Sequence, residues 1–137
     1  MPSVRTFFLV LCTIITWAGG SDSGHAAEFR CRVVDAETGQ ALPCRVYVTS
    51  DDGEFHFVES VDEDGSAVRY DVARSPQSFE KHTTVSAHPF TAELPAGRYT
   101  VRIERGKEYH PATLDVELDD SGVEKTIELK RWINLGD

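Results

Sequence analysis

The sequence of 137 residues leaves room for one domain. Its formal net charge of −9 at pH 7 argues against nucleic-acid binding and against adhesion to an anionic membrane, because both need a basic surface. The apolar residues lean towards valine, which favours strands over long helices.

The N-terminal segment has the features of a secretory signal. Arg5 supplies a positive charge, and residues 7–17 form an apolar run. This run is shorter than the roughly 20 residues that a membrane-spanning helix needs, so we interpret it as the apolar region of a signal peptide. An uncleaved anchor is the alternative.

Small residues mark the expected cleavage site. Gly24 and Ala26 occupy the two positions that a signal peptidase inspects, which predicts cleavage after Ala26. Residues 1–26 are therefore predicted as a signal peptide and residues 27–137 as the domain. The mature product is expected in the periplasm or outside the cell, with no membrane span.

Segments that alternate apolar and polar residues dominate the rest of the chain. They are residues 29–33, 44–48, 99–103, 114–118 and 123–129. A period of two predicts strands with one packed and one wet face, and no segment shows a convincing helical period. We therefore predict an all-β fold, a two-sheet antiparallel sandwich of about seven strands.

Turn residues separate these segments. Residues 119–122, Asp-Asp-Ser-Gly, are predicted to join the last two strands as a hairpin. Proline cannot donate to a strand ladder, so a break is expected at His88-Pro89. Residues 53–82 are interpreted as an elaborated loop between the sheets that includes short strands.

The predicted mature chain contains two cysteines, Cys31 and Cys44, each on the apolar side of its strand. In an exported domain they can form a disulfide. Two buried free thiols are the alternative.

The sequence contains no complete catalytic or metal-binding motif. His56, His82, His88 and His110 form no His-x-His or His-x-x-x-His pair, and no nucleophile-elbow motif surrounds Ser86. We therefore predict no catalytic residue, no metal site and no cofactor.

Two segments resemble the carboxypeptidase regulatory-like domains, which are small sandwiches of transthyretin (prealbumin)-like topology. The first is Val-Val-Asp-Ala-Glu-Thr-Gly-Gln-Ala-Leu-Pro at 33–43, and the second is Leu-Pro-Ala-Gly-Arg-Tyr-Thr-Val at 94–101. The resemblance implies the fold and says little about function.

A narrower resemblance involves residues 82–90, 104–109 and 130–134. They look like the leading domain of exported CehA/McbA-type metallohydrolases, in which such a sandwich precedes a PHP-type catalytic domain. The metal ligands of that family start in a His-x-His motif beyond this sequence, so none is assigned here. The resemblance implies a non-catalytic accessory domain whose partner is a following or separate metallohydrolase domain. A free-standing secreted binding or adhesion module is the alternative.

The densely charged segment 104–110 has two interpretations. It is either a hydrated connection that bends at Gly106, or a loop that docks onto another domain. Trp132 either plugs the end of the sandwich or is an exposed interface aromatic. The predicted docking residues are Arg105, Glu108, Tyr109, His110 and Trp132.

Overall fold

The computed structural model of the chain describes residues 25–134. The predicted signal peptide lies almost entirely outside the described residues, so its cleavage stays a prediction. Between His25 and Asn134 there is no helix that is long and apolar enough to cross a membrane.

The described chain folds into ten strands. They are β1 (Ala26–Asp35), β2 (Cys44–Ser50), β3 (Phe55–His56), β4 (Glu59–Ser60), β5 (Ala67–Ser75), β6 (Ser78–Val85), β7 (Phe90–Pro95), β8 (Gly97–Glu104), β9 (Ala112–Leu118) and β10 (Val123–Leu129). The predicted break at His88-Pro89 is confirmed, since β6 ends before it and β7 begins after it.

The strands form two sheets. Sheet A has the order β10-β1-β7-β4, and sheet B has the order β5-β6-β2-β8-β9, with β3 paired to β2. Every pairing is antiparallel except that of β1 with β10, which is parallel. The predicted all-β two-sheet sandwich is confirmed. The strand number exceeds the prediction because the middle of the chain supplies four strands, two of them only two residues long.

The last two strands do not form the predicted hairpin. β9 lies in sheet B and β10 lies in sheet A, so residues 119–122 carry the chain from one sheet to the other. Gly122 has a φ of 75°, and a Cβ atom there would lie 2.7 Å from the Glu28 carbonyl oxygen of β1. Only glycine can therefore pass this close to β1. The hairpin prediction was wrong because alternation shows only that each strand has an apolar face towards the core. It does not show which of the two sheets the strand joins.

The segment interpreted as a loop contains a long hairpin. β5 and β6 pair from Ala67–Val85 to Ser75–Ser78, with one irregularity near the tip. β6 pairs with β2 only over Thr83–Val85, so most of the hairpin extends beyond β2. The loop interpretation of residues 67–82 is therefore corrected.

The apolar faces of the two sheets meet in a single core. The rings of Phe29 and Phe90 make an edge-to-face contact at 6.4 Å between centroids. Cys31 and Cys44, on opposite sheets, are both buried in this core as free thiols, which is the second of the two alternatives. Burial raises the pKa of each thiol to about 12, so both stay protonated and unreactive as nucleophiles.

Candidate functional site

The connection between β8 and β9 lies beside the segment that follows β10. The His110 N–H donates to the Lys130 carbonyl at 3.0 Å, and the Trp132 N–H donates to the Glu108 carbonyl at 2.9 Å. Tyr109 and Arg131 face each other as a bridge between these bonds. The structure thus brings all five predicted docking residues to one end of the sandwich.

A partly buried polar network holds the two segments to the end of β1. The Tyr109 hydroxyl donates to Asp35 Oδ2 at 2.6 Å and accepts from Arg131 Nη2 at 2.6 Å. Arg131 Nη2 also lies 3.6 Å from Asp35 Oδ2. We call these three residues the Asp35 network.

The second oxygen of Asp35 is also satisfied. Asp35 Oδ1 accepts the backbone N–H groups of Glu37 at 2.8 Å and Thr38 at 3.0 Å. The Tyr109 hydrogen bond, followed by these two N–H groups, lowers the pKa of Asp35 to about 2, and the nearby Arg131 acts in the same direction. Asp35 is therefore ionised at neutral pH and anchors both segments.

Asp35 and Arg131 were missed as partners by sequence reasoning. Asp35 follows Val33 and Val34 in a run of three buried residues. The two adjacent valines already break the alternation in the sequence, but the burial of Asp35 after them is seen only in the structure.

Two of the predicted docking residues, Tyr109 and Arg105, pack beneath the other three or against the neighbouring backbone. Tyr109 is 3% exposed, with Arg105 and Arg131 over its ring at 5.6 and 5.0 Å. Arg105 also donates to the Pro43 carbonyl at 2.9 Å. Tyr109 thus cannot offer its ring directly to a partner, which corrects the role expected for it.

The remaining side chains face solvent. We call Lys107, Glu108, His110 and Trp132 the end surface. Trp132 is 57% exposed, and its indole N–H donates to the Lys107 carbonyl at 2.5 Å. The His110 ring lies 5.8 Å from the indole. The exposure of Trp132 favours the interpretation as an exposed aromatic over that as a plug.

Grooves border the end surface. One of about 450 Å³ runs along residues 105–109, and a second of about 410 Å³ is lined in part by Thr38, Trp132 and Ile133. An exposed aromatic with a charged rim beside open grooves is suited to contact a protein surface.

The histidines are dispersed over the sandwich. Within residues 25–134, no group of three or more His, Cys, Asp or Glu side chains could hold a metal ion. Ser86 Oγ lies 2.9 Å from His88 Nδ1, and the same hydroxyl accepts the Ser66 N–H at 2.8 Å. Both bonds help to close the connections around β5 and β6.

A second buried titratable group lies on the outer face of sheet B. The His82 ring is 4% exposed and stacks on Tyr70 at 5.0 Å, with Tyr47 on its other side at 5.3 Å. We call these three residues the outer aromatic row. The sequence shows their alternation along each strand but not the register that makes them neighbours.

Comparisons with known proteins support the fold. No protein-family model matches the sequence, and no curated protein matches it significantly. The chain is similar to the crystal structure of the group B streptococcus pilus 2b backbone protein, with 15% sequence identity and a TM-score of 0.51. The match covers 77% of this chain and 41% of the pilus protein. At this identity the similarity shows the β-sandwich fold alone, and the narrower resemblance to metallohydrolase leading domains stays a prediction.

Proposed function

We propose that this chain is an exported, non-catalytic accessory domain that docks a protein partner through the end surface. The partner class that we propose is a PHP-type metal-dependent hydrolase domain, encoded either after this segment or separately. The observation that supports docking most directly is the exposed Trp132 ring on a base held by the Asp35 network.

The rigid base favours binding. Trp132 is held by its indole N–H bond to Lys107 and by its backbone bond to Glu108, so little side-chain freedom remains to be lost. Exposed tryptophans with a polar rim are enriched among residues that dominate interface energies.

The position of Trp132 supports the same partner. In the family that the sequence resembles, the segment that matches residues 130–134 leads directly into the catalytic domain. The bonds from Lys107 and Glu108 that fix Trp132 would then also fix the orientation of a domain that follows it.

A free-standing secreted binding or adhesion module is the second candidate. The fold similarity to a pilus backbone protein favours it. This candidate predicts a binding surface elsewhere on the sandwich.

The test starts from the reading frame of the native transcript beyond codon 137. If it encodes a domain with a His-x-His motif, that domain is produced separately and titrated with this chain by calorimetry. We expect Trp132→Ala to weaken binding by about tenfold or more. Phe79→Ala is the matched control, because Phe79 is a similarly exposed aromatic at 52% that lies outside the end surface, and we expect it to leave affinity unchanged.

Two results would contradict the proposal. A stop codon after Asp137, with no binding to a metallohydrolase domain encoded nearby, would favour the second candidate. Equal losses for the Trp132 and Phe79 variants would exclude the end surface as the specific interface.

A further inference from the structure

β5 is an edge strand with an unusual distribution of side chains. It is the terminal strand of sheet B, and no described strand pairs with its outer edge. Val68, Tyr70 and Val72 face the same side as His82, and Val68 is 62% exposed. Arg69 and Asp71 face the other side. Edge strands usually avoid exposed apolar residues because these favour pairing with another chain.

The sequence of this edge is symmetric in charge. Residues 68–72 read Val-Arg-Tyr-Asp-Val, so a half-turn about Tyr70 exchanges the two valines and exchanges arginine with aspartate. An antiparallel pair of identical strands has this symmetry.

We propose that β5 pairs with β5 of a second copy of this chain, antiparallel and centred on Tyr70, so that the two B sheets become one. Val68 then lies opposite the partner's Val72, and Arg69 lies opposite the partner's Asp71. Both contacts occur twice, since each copy supplies both halves. This surface shares no residue with the end surface and goes beyond the proposed docking function.

The charges also select this register. A shift of one residue would place the apolar side of one strand beside the charged side of the other. The next register with matching sides would pair Arg69 with the partner's Arg69 in one direction of the shift. In the other direction it would pair Asp71 with the partner's Asp71. Like charges directly opposite each other destabilise a sheet, so the centred pairing is favoured.

Existing ion pairs do not block the rearrangement. Asp71 contacts Arg69 at 2.8 Å and Lys81 at 3.4 Å, with the three side chains between 34% and 61% exposed. Exposed pairs of this kind contribute little to stability. On turning to the partner, Arg69 gives up its pair with Asp71 and its position 3.7 Å above the Phe57 ring, while Lys81 stays with Asp71. In the same register Arg74 would lie opposite the partner's Ser66, beside the acidic residues 62–64.

The experiment uses the full chain, expressed with its N-terminal segment and purified after export. Sedimentation over a series of concentrations is expected to show a monomer–dimer equilibrium. Arg69→Asp places carboxylates at positions 69 and 71, and Asp71→Arg places guanidinium groups at both. Each variant alone is expected to dimerise at least about tenfold more weakly.

Combining the changes should restore association. A mixture of the two single variants is expected to form a heterodimer, and the double variant Arg69→Asp/Asp71→Arg is expected to dimerise like the wild type. Glu117→Arg on β9, at the opposite edge of sheet B, is the matched control and should leave dimerisation unchanged, even if its pairing with Arg98 lowers stability. Val68→Lys, at an exposed position, provides an independent loss if a charge-reversal variant folds poorly.

Three results would overturn the proposal. They are a wild-type chain that stays monomeric at every concentration, single variants that dimerise as well as the wild type, and a mixture that forms no heterodimer.

Discussion

The Asp35 network and the outer aromatic row each bury a titratable group, but only the first provides that group with hydrogen-bond partners. Asp35 and His82 are each 4% exposed. Asp35 accepts hydrogen bonds from Tyr109, Glu37 and Thr38. His82 Nδ1 has no hydrogen-bond partner, although a Glu80 carboxylate oxygen lies 3.4 Å away.

A buried polar group therefore affects the fold differently depending on whether it has hydrogen-bond partners. A buried polar group with all its partners in place fixes the segments that supply them, as Asp35 fixes the end surface. A buried nitrogen without a partner retains its desolvation penalty, so His82 is held in the outer aromatic row mainly by its ring contacts with Tyr70 and Tyr47. The two regions should therefore respond differently to substitution and to pH.

The largest effect is expected from the Tyr109 hydroxyl. Tyr109→Phe removes a group that both donates to Asp35 and accepts from Arg131, and it should lower the free energy of unfolding by about 1–3 kcal/mol in urea at pH 7. Tyr47→Phe is the matched control, since the Tyr47 hydroxyl is half-buried and makes one 3.3 Å bond to Glu104. Similar losses for both variants would remove the distinction between the regions.

Sequence patterns predicted the core strands well and the site only in outline. The alternation in segments such as 44–48 predicts a half-buried strand because burial on one face has a period of two. Sheet membership and register are long-range properties, so the crossover at Gly122 and the Tyr70–His82 contact could not be predicted from alternation. The charged segment 104–110 and Trp132 are both singled out by the sequence, and the structure places them side by side, while their docking role stays a prediction. Their contacts through Asp35 and Arg131 join residues up to 96 positions apart in number, and no local signal indicates them.

A second prediction concerns acid. Hydrogen bonding holds the pKa of Asp35 at about 2, below its ordinary value of 3.8, so the folded state binds this proton less readily than the unfolded state. The stabilisation is fully present above about pH 4 and is lost as the pH falls through about 2. Urea unfolding of the wild type and Asp35→Asn from pH 6 to pH 2 should show an advantage for the wild type that shrinks over this interval. A constant difference would contradict the assigned role of the carboxylate.

A third prediction concerns His82, where the pH window is different. Burial lowers the pKa of His82 below 6.5, against the opposing effect of Glu80, while Arg45 and Glu104 also face the ring. The unfolded chain therefore takes up this proton first, and stability should fall as the pH drops below about 6.5.

The variant that tests this is His82→Phe, which keeps an aromatic ring and removes the unpaired nitrogen. We expect it to be as stable as the wild type at pH 7.5, or more stable, and to lose less stability between pH 7 and pH 5. A steeper acid loss in His82→Phe would show that the buried imidazole is stabilised by its charge.

The smallest change in the free energy of unfolding is expected for the exposed Trp132. Trp132→Ala removes a ring that is 57% exposed and one hydrogen bond to the Lys107 carbonyl, so the free energy of unfolding should change by no more than about 0.5–1 kcal/mol. The same urea measurement at pH 7 compares it directly with Tyr109→Phe, which changes a buried side chain on the neighbouring segment. If Trp132→Ala proves as destabilising as Tyr109→Phe, Trp132 is a plug that completes the end of the sandwich. If stability is retained, the ring is available for binding, because a side chain that the fold does not need can be kept for contact with a partner.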